Sequence, residues 1–282
     1  MAFDRSAFLS AYDTLLDRWP VPVERLDVDT PYGTTRVNAA GPAGAPPLVL
    51  LHGGGSTAAG WWANIGELAR SARVFAVDRI GEAGRSAGRG PQPLRTVEDL
   101  HAWLDAVLDG LGVARADLCG HSYGGWIALG YALRRPARVD RLALLDPTGC
   151  FTGYRVGYLL RAAPMLARPT EVRARAFLAW ETGGAPLDPD WTRLHGLAAT
   201  FPRTRTVTGP RPTPEALAAL RAPCLVLAAA DSRTHHPKTL TARATATLPH
   251  AKVHTLEGVS HHGLPYLKAD EVNAELTGFL AR

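Results

Sequence analysis

Short runs of apolar β-forming residues recur along the chain at residues 47–52, 74–78, 116–120, 141–146, 224–229 and 253–257, each bounded by Gly, Pro or charge. Several lack polar alternation, as strands buried on both faces do. Between them the period lengthens: residues 96–110 place Leu100, Trp103, Leu104, Val107 and Leu108 on one helical stripe, and residues 123–134 predict a second helix. This alternation predicts an α/β fold, a mostly parallel sheet flanked by helices. Upstream, residues 3–18 predict a further helix. Residues 24–30 and 34–39, split by Pro31-Tyr32-Gly33, predict an antiparallel hairpin at the sheet edge.

The alternation stops between Asp146 and Ala222. Helical pieces fit residues 154–166, 169–182 and 214–221, punctuated by Gly183-Gly184-Ala185-Pro186 and Gly209-Pro210-Arg211-Pro212. The expected organisation is a core of residues 1–146 and 219–282 carrying an inserted, mainly helical cap of residues 147–218.

Composition narrows the classes of function. With 46% hydrophobic and 20% charged residues in 282, the chain lies in the ordinary globular range. Its net charge of +5 comes from dispersed arginines and not from a basic block, so nucleic acid is not an expected partner. Asp4 and Asp13 near the start argue against an export signal, and no run nears the roughly 18 apolar residues of a membrane span. A cytoplasmic protein with no membrane partner, a monomer or homodimer, is expected. Cys119, Cys150 and Cys224 are odd in number and far apart, which favours structural thiols over a disulfide or a metal site.

The chemistry concentrates at Gly120-His121-Ser122-Tyr123-Gly124, a G-x-S-x-G pattern between a strand run and a helix. A serine on so sharp a turn is strained and exposed, and the flanking glycines relieve clashes. The turn aims the Tyr123 N–H at the oxygen of a bound carbonyl. His52-Gly53-Gly54-Gly55, at the end of another strand run, brings bare main chain close to a substrate, and Gly54 is the second candidate oxyanion donor. The serine needs a base. His261, favoured over its neighbour His262, follows the last strand run on a loop expected at the same sheet edge. The base needs an acceptor, and two remain open: Asp231, preferred because it falls between serine and histidine in chain order, and Asp146. His52, Gly53, Trp61, Trp62, Phe151, Tyr154, Tyr158 and Trp180, with Trp191 and Phe201, are candidates to line an apolar substrate pocket.

Together these residues resemble the α/β-hydrolase superfamily, in its esterase, lipase and peroxidase-like group, over nearly the whole chain apart from the cap. Asp78 to Ser86 resembles the family's D-x-x-G-x-G-x-S turn with one extra residue, where Asp78 is structural. Ser232 stands at the family's commonest acid position. The resemblance implies a serine hydrolase that cleaves an ester, thioester or related acyl bond of a small molecule through a Ser122 acyl-enzyme, without cofactor or metal. Acyl transfer, cyclisation, carbon–carbon bond hydrolysis or lyase chemistry on the same fold are the alternatives, with a non-catalytic ligand-binding protein further off.

Overall fold

Parallel strands lie side by side only when crossovers carry the chain back across the sheet, and this chain does so repeatedly. Helix α1 (Arg5–Leu16) precedes the antiparallel hairpin of β1 (Glu24–Thr30) and β2 (Gly33–Ala40), in which Glu24 faces Ala39. Then come β3 (Pro47–Leu51), α2 (Ile65–Leu68), β4 (Arg73–Val77), α3 (Val97–Gly110), β5 (Ala116–His121), α4 (Tyr123–Arg134) and β6 (Val139–Leu145). Helices α5 (Val156–Ala167), α6 (Glu171–Glu181), α7 (Pro189–Ala199) and α8 (Pro214–Ala218) fill the interval before β7 (Cys224–Ala229). The chain closes with α9 (Pro237–Thr247), β8 (Lys252–Leu256), α10 (Leu264–Leu267) and α11 (Ala269–Leu280). This computed structural model describes residues 3–90, 92–202, 205–248 and 250–281.

The strands form one sheet in the order β1-β2-β4-β3-β5-β6-β7-β8, antiparallel through β2 and parallel from β4 to β8. Successive residues of one strand enter different cores, because side chains alternate across a sheet. Leu48 and Leu50 pack with Tyr12, Trp61 and Leu276 on one face. Val49 and Leu51 pack with Trp103, Leu104 and Ile127 on the other. Burying each such side chain stabilises by about 1.5–3 kcal/mol, which is why the strands read as unbroken apolar runs.

The predicted stripe of α3 is buried as a set, and the helix starts at a capping box between Thr96 and Asp99. Helix α7 was not among the expected pieces. Asp188 caps it, Pro189 occupies its first turn, and Trp191, Leu194, Leu197 and Ala198 join the core that also holds α1. Arg18 ties the two helices by ion pairs of 2.8 Å to Asp188 and 3.1 Å to Asp190. Cys119, Cys150 and Cys224 are buried, free thiols. No helix among the described residues is long and apolar enough to cross a membrane.

A parallel sheet gathers the C-terminal ends of its strands on one edge. Here that edge brings together the loops after β3, β5, β6, β7 and β8, and with them His52, Ser122, Asp146, Asp231 and His261.

Candidate active site

Strand β5 hands over to α4 in a single residue. Ser122 adopts φ 54° and ψ −115°, a region that an L side chain rarely occupies. The turn closes only around glycines: a Cβ on Gly120 would sit 2.4 Å from the Gly124 carbonyl oxygen, and one on Gly124 2.1 Å from the Leu51 oxygen. The strain holds the Ser122 hydroxyl out over the strand ends, 2.8 Å from His261 Nε2.

His261 Nδ1 lies 2.6 Å from Asp146 Oδ2. The structure therefore brings together Ser122, His261 and Asp146 and leaves Asp231 outside, which corrects the order of preference between the two acids. Asp231 is exposed, and its N–H donates to the Val259 oxygen at 3.1 Å in the turn beyond β7. Asp146 directly follows β6, the strand beside β5, with φ 42°, and its N–H donates to the Leu227 oxygen at 2.7 Å. That left-handed residue turns its carboxylate back along the strand ends. His262 points elsewhere, with Nε2 3.4 Å from the Tyr158 hydroxyl.

The carboxylate of Asp146 has further partners. Its Oδ1 accepts from the Ala229 N–H at 3.0 Å and lies 2.9 Å from His235 Nε2. Burial alone would raise this carboxyl, but His235 and His261 together hold it well below the usual carboxylate range. The donor atoms of Asp146, His235 and His261 lie within 4.8 Å of one another, which is also a metal-ligand spacing. Both Asp146 oxygens already face imidazole nitrogens in a fully buried set, so the arrangement reads as a hydrogen-bonded acid shared by two histidines.

The loop that carries His261 is held from two sides. His121 Nε2 faces the His261 carbonyl at 2.9 Å and must carry the proton there. Burial, then the neighbouring His261, pushes the His121 imidazole down to about 3, so it stays neutral. From α6, the fully buried Glu181 accepts from the Ser260 hydroxyl at 2.9 Å, the His261 N–H at 3.2 Å and the His262 N–H at 3.1 Å.

The glycine-rich loop after β3 has its own supports. Arg79 N–H donates to His52 Nε2 at 3.2 Å, so His52 Nδ1 donates to the Gly53 oxygen at 2.8 Å. The Gly55 N–H donates to Glu82 Oε2 at 2.7 Å, and Glu82 pairs with the buried Arg79 at 2.6 Å. Arg79 in turn lies over the Tyr123 ring, 4.6 Å from its centroid. Gly54 faces the start of α4, where its missing Cβ would stand 3.8 Å from the Tyr123 Cβ. Asp78 accepts from the Tyr12 hydroxyl and from the Ala58 and Arg85 N–H groups at 2.8–2.9 Å, a structural post for this turn.

The cavity at Ser122 is small, about 20 Å³, lined by Gly53, Gly54, Ser56, His121, Trp191, His195, His262 and Tyr266. The pocket aromatics anticipated from sequence divide. Trp191 lines the cavity, and Tyr158 stands behind His262 with Trp180 and Phe177 against it. Trp61 and Phe151 belong to the cores on the two sheet faces. Trp62 stacks on Tyr266, Phe201 meets Phe3 edge to face, and Tyr154 is 46% exposed. Glu181, His235 and Glu82 were not anticipated. They lie 80, 89 and 27 residues from their partners His261, Asp146 and Gly55, so no local spacing announces them.

A sequence profile described as the alpha/beta hydrolase family matches residues 48–275. Carboxylesterase YbfK of Bacillus subtilis (strain 168) is 29% identical over 282 residues, covering 97% of this chain and 93% of that protein. The crystal structure of naproxen esterase (carboxylesterase NP) from Bacillus subtilis superposes with a TM-score of 0.90 at 27% identity, covering 97% of both chains. The 2-hydroxymuconate semialdehyde hydrolase of Pseudomonas sp. (strain CF600) is 39% identical over 109 residues, 36% of this chain and 37% of that protein.

Proposed function

Because this chain belongs to the alpha/beta hydrolase family, we propose that it is a carboxylic ester hydrolase working through Ser122, His261 and Asp146. The observation that carries the reading is the unbroken run from the Ser122 hydroxyl to His261 at 2.8 Å and on to Asp146 at 2.6 Å, raised on a strained turn at the strand ends. Two carboxylesterase relatives aligned over nearly the full chain support the same class of reaction.

His261 Nε2 takes the Ser122 proton as Oγ attacks the ester carbon. Charge develops on the carbonyl oxygen, where the N–H groups of Gly54 and Tyr123 and the positive end of α4 receive it. Asp146 keeps the proton on Nδ1 and stabilises the imidazolium. The imidazolium then protonates the leaving alcohol, and the acyl group stays on Ser122. A water enters, gives its proton to His261 and attacks, and collapse frees the carboxylic acid with the proton returned to Ser122.

Residues 147–218 act as a cap in this reading, since Trp191 and His195 of α7 line the cavity and Glu181 of α6 holds the base loop. The preferred substrate is a small apolar or aromatic ester that enlarges this cavity on entry. The setting is the cytoplasm, and the protein acts as a monomer or homodimer.

The test is hydrolysis of a short para-nitrophenyl acyl series by the parent and by Ser122→Ala, with mass spectrometry after a fluorophosphonate. The reading requires the adduct on Ser122 and turnover that vanishes in the variant. Absent turnover and labelling in the parent overturn it, and a product with the acyl group on an added alcohol or amine reassigns it to acyl transfer.

A further inference from the structure

Among the described residues the exposed large apolar side chains fall in one stretch: Tyr154, Val156, Leu159, Leu160, Leu166 and Val172. Val156 is 71% exposed, Leu160 70% and Val172 73%. Of the twelve residues of α5, Ala162 alone is buried, while Tyr158 and Met165 are half-buried. A helix this apolar on its outer side leaves a contiguous patch of the kind that marks an interaction surface.

The charge around the patch has one sign. Between residues 147 and 180 the sequence carries Arg155, Arg161, Arg168, Arg173 and Arg175 against a single acid, Glu171, and Glu171 pairs with Arg175 at 3.3 Å. Arg155 and Arg168 flank α5 at its two ends, Arg161 lies within it, and all three are exposed. Other arginines of the chain do pair with acids, as Arg36 does with Asp27 and Arg73 with Glu24.

We propose that the outer face of α5, with Arg155, Arg161 and Arg168, is a docking surface for an anionic lipid bilayer. Apolar side chains with guanidinium groups at the rim suit a helix lying in the plane of the interface, with Val156, Leu160 and Leu166 at the acyl boundary and the arginines among headgroup phosphates. Self-association on this face fits less well, because a two-fold contact would set the same arginines against each other. The chain needs no spanning helix for this, and a peripheral surface departs from the expectation of no membrane partner. The inner side of α5 carries Tyr158, 3.4 Å from His262, so a docked bilayer lies on the outside of the helix that backs the Ser122 cavity.

The test is sedimentation of the 282-residue chain with vesicles of phosphatidylcholine alone or mixed equally with phosphatidylglycerol. Binding to the mixed vesicles, weakened by salt and much lower on the neutral ones, is expected. Val156→Asp or Leu160→Asp lowers the partition coefficient at least about ten-fold, and each of Arg155→Gln, Arg161→Gln and Arg168→Gln about five-fold. Hydrolysis of a short water-soluble ester and the melting temperature stay at parental values in these surface variants. Binding is read without turnover, so it stands or falls apart from the ester reading. Absent binding of the parent, or binding that survives Leu160→Asp, overturns the proposal. So does a concentration-dependent dimer in light scattering that Leu160→Asp dissolves, which would give the face to a second copy of the chain.

Discussion

Changing Asp146 to asparagine replaces one oxygen by an NH2 group and reverses the direction of the hydrogen bond at Ser122. The Oδ1 side of residue 146 faces the Ala229 N–H at 3.0 Å and His235 Nε2 at 2.9 Å, whereas the Oδ2 side faces His261 alone at 2.6 Å. An asparagine keeps its oxygen toward the two donors and so turns its NH2 on His261 Nδ1. That nitrogen must then accept, the imidazole proton moves to Nε2, and an N–H points at the Ser122 oxygen 2.8 Å away. A nitrogen that already holds a proton cannot take another from serine. The loss is about 10⁴ in kcat, or about 5.4 kcal/mol at 1.36 kcal/mol per decade. Initial rates on a para-nitrophenyl ester at pH 8 measure it, with the melting temperature showing that the near-isosteric variant is folded. Asp231→Asn, run in parallel, changes the rate less than about two-fold, since that side chain is exposed. Asp146→Asn retaining more than about a tenth of the parental rate, or Asp231→Asn losing about 10² or more, refutes the reasoning.

Three further outcomes follow from the packing. Glu181→Ala leaves Ser260 and the His261 and His262 N–H groups without their acceptor, so kcat falls about 10² with KM nearly constant, and Glu181→Gln, keeping one acceptor oxygen, falls between; steady-state kinetics decide. Gly124→Ala drives a Cβ to 2.1 Å from the Leu51 oxygen, a main-chain clash that costs about 3 kcal/mol and lowers the thermal midpoint by roughly 6–12 °C in calorimetry. Burial pushes His101 down to about 4 and His121 to about 3, so below about pH 6.5 the unfolded chain takes up protons that the folded one refuses. Stability is therefore full above that pH and declines toward pH 3, and His101→Gln flattens the decline in urea titrations by up to one proton; equal slopes for variant and parent refute it.

The sheet was legible because β3, β5, β6 and β7 are buried on both faces and so lose polar alternation, leaving runs such as Leu48 to Leu51 in plain view. Helix α7 escaped because its apolar residues Trp191, Leu194 and Leu197 are interrupted by His195 and Gly196, although Asp188-Pro189 is a start signal. Ser122 was legible because its chemistry demands glycines at fixed places on a local turn. The carboxylate beside His261 was not: Asp146 and Asp231 both follow strands, and what separates them is a positive φ at Asp146, which an aspartate tolerates without any mark in the sequence. Distance in sequence hid Glu181 and His235, whose partners are fixed by the crossing of α6 over the strand ends and by the turn after β7.

In the proposed reaction each loop that must be still is held by a buried carboxylate from outside it. Glu82 grips the Gly55 N–H beside the oxyanion loop, and Glu181 grips the three donors of the base loop. Buried acceptors with full hydrogen bonds do not reorganise as charge appears on the substrate, which is where most of the rate advantage of such a site lies. The two grips differ in origin. Glu82 belongs to the turn after β4, inside the sheet's own scaffold, and stays put as long as the sheet does. Glu181 ends α6, in the segment inserted between β6 and β7, so the placement of His261 depends on how that segment sits. A perturbation that shifts α6 should thus lower the reactivity of Ser122 before it lowers the stability of the sheet, and a substrate that settles α6 should raise it.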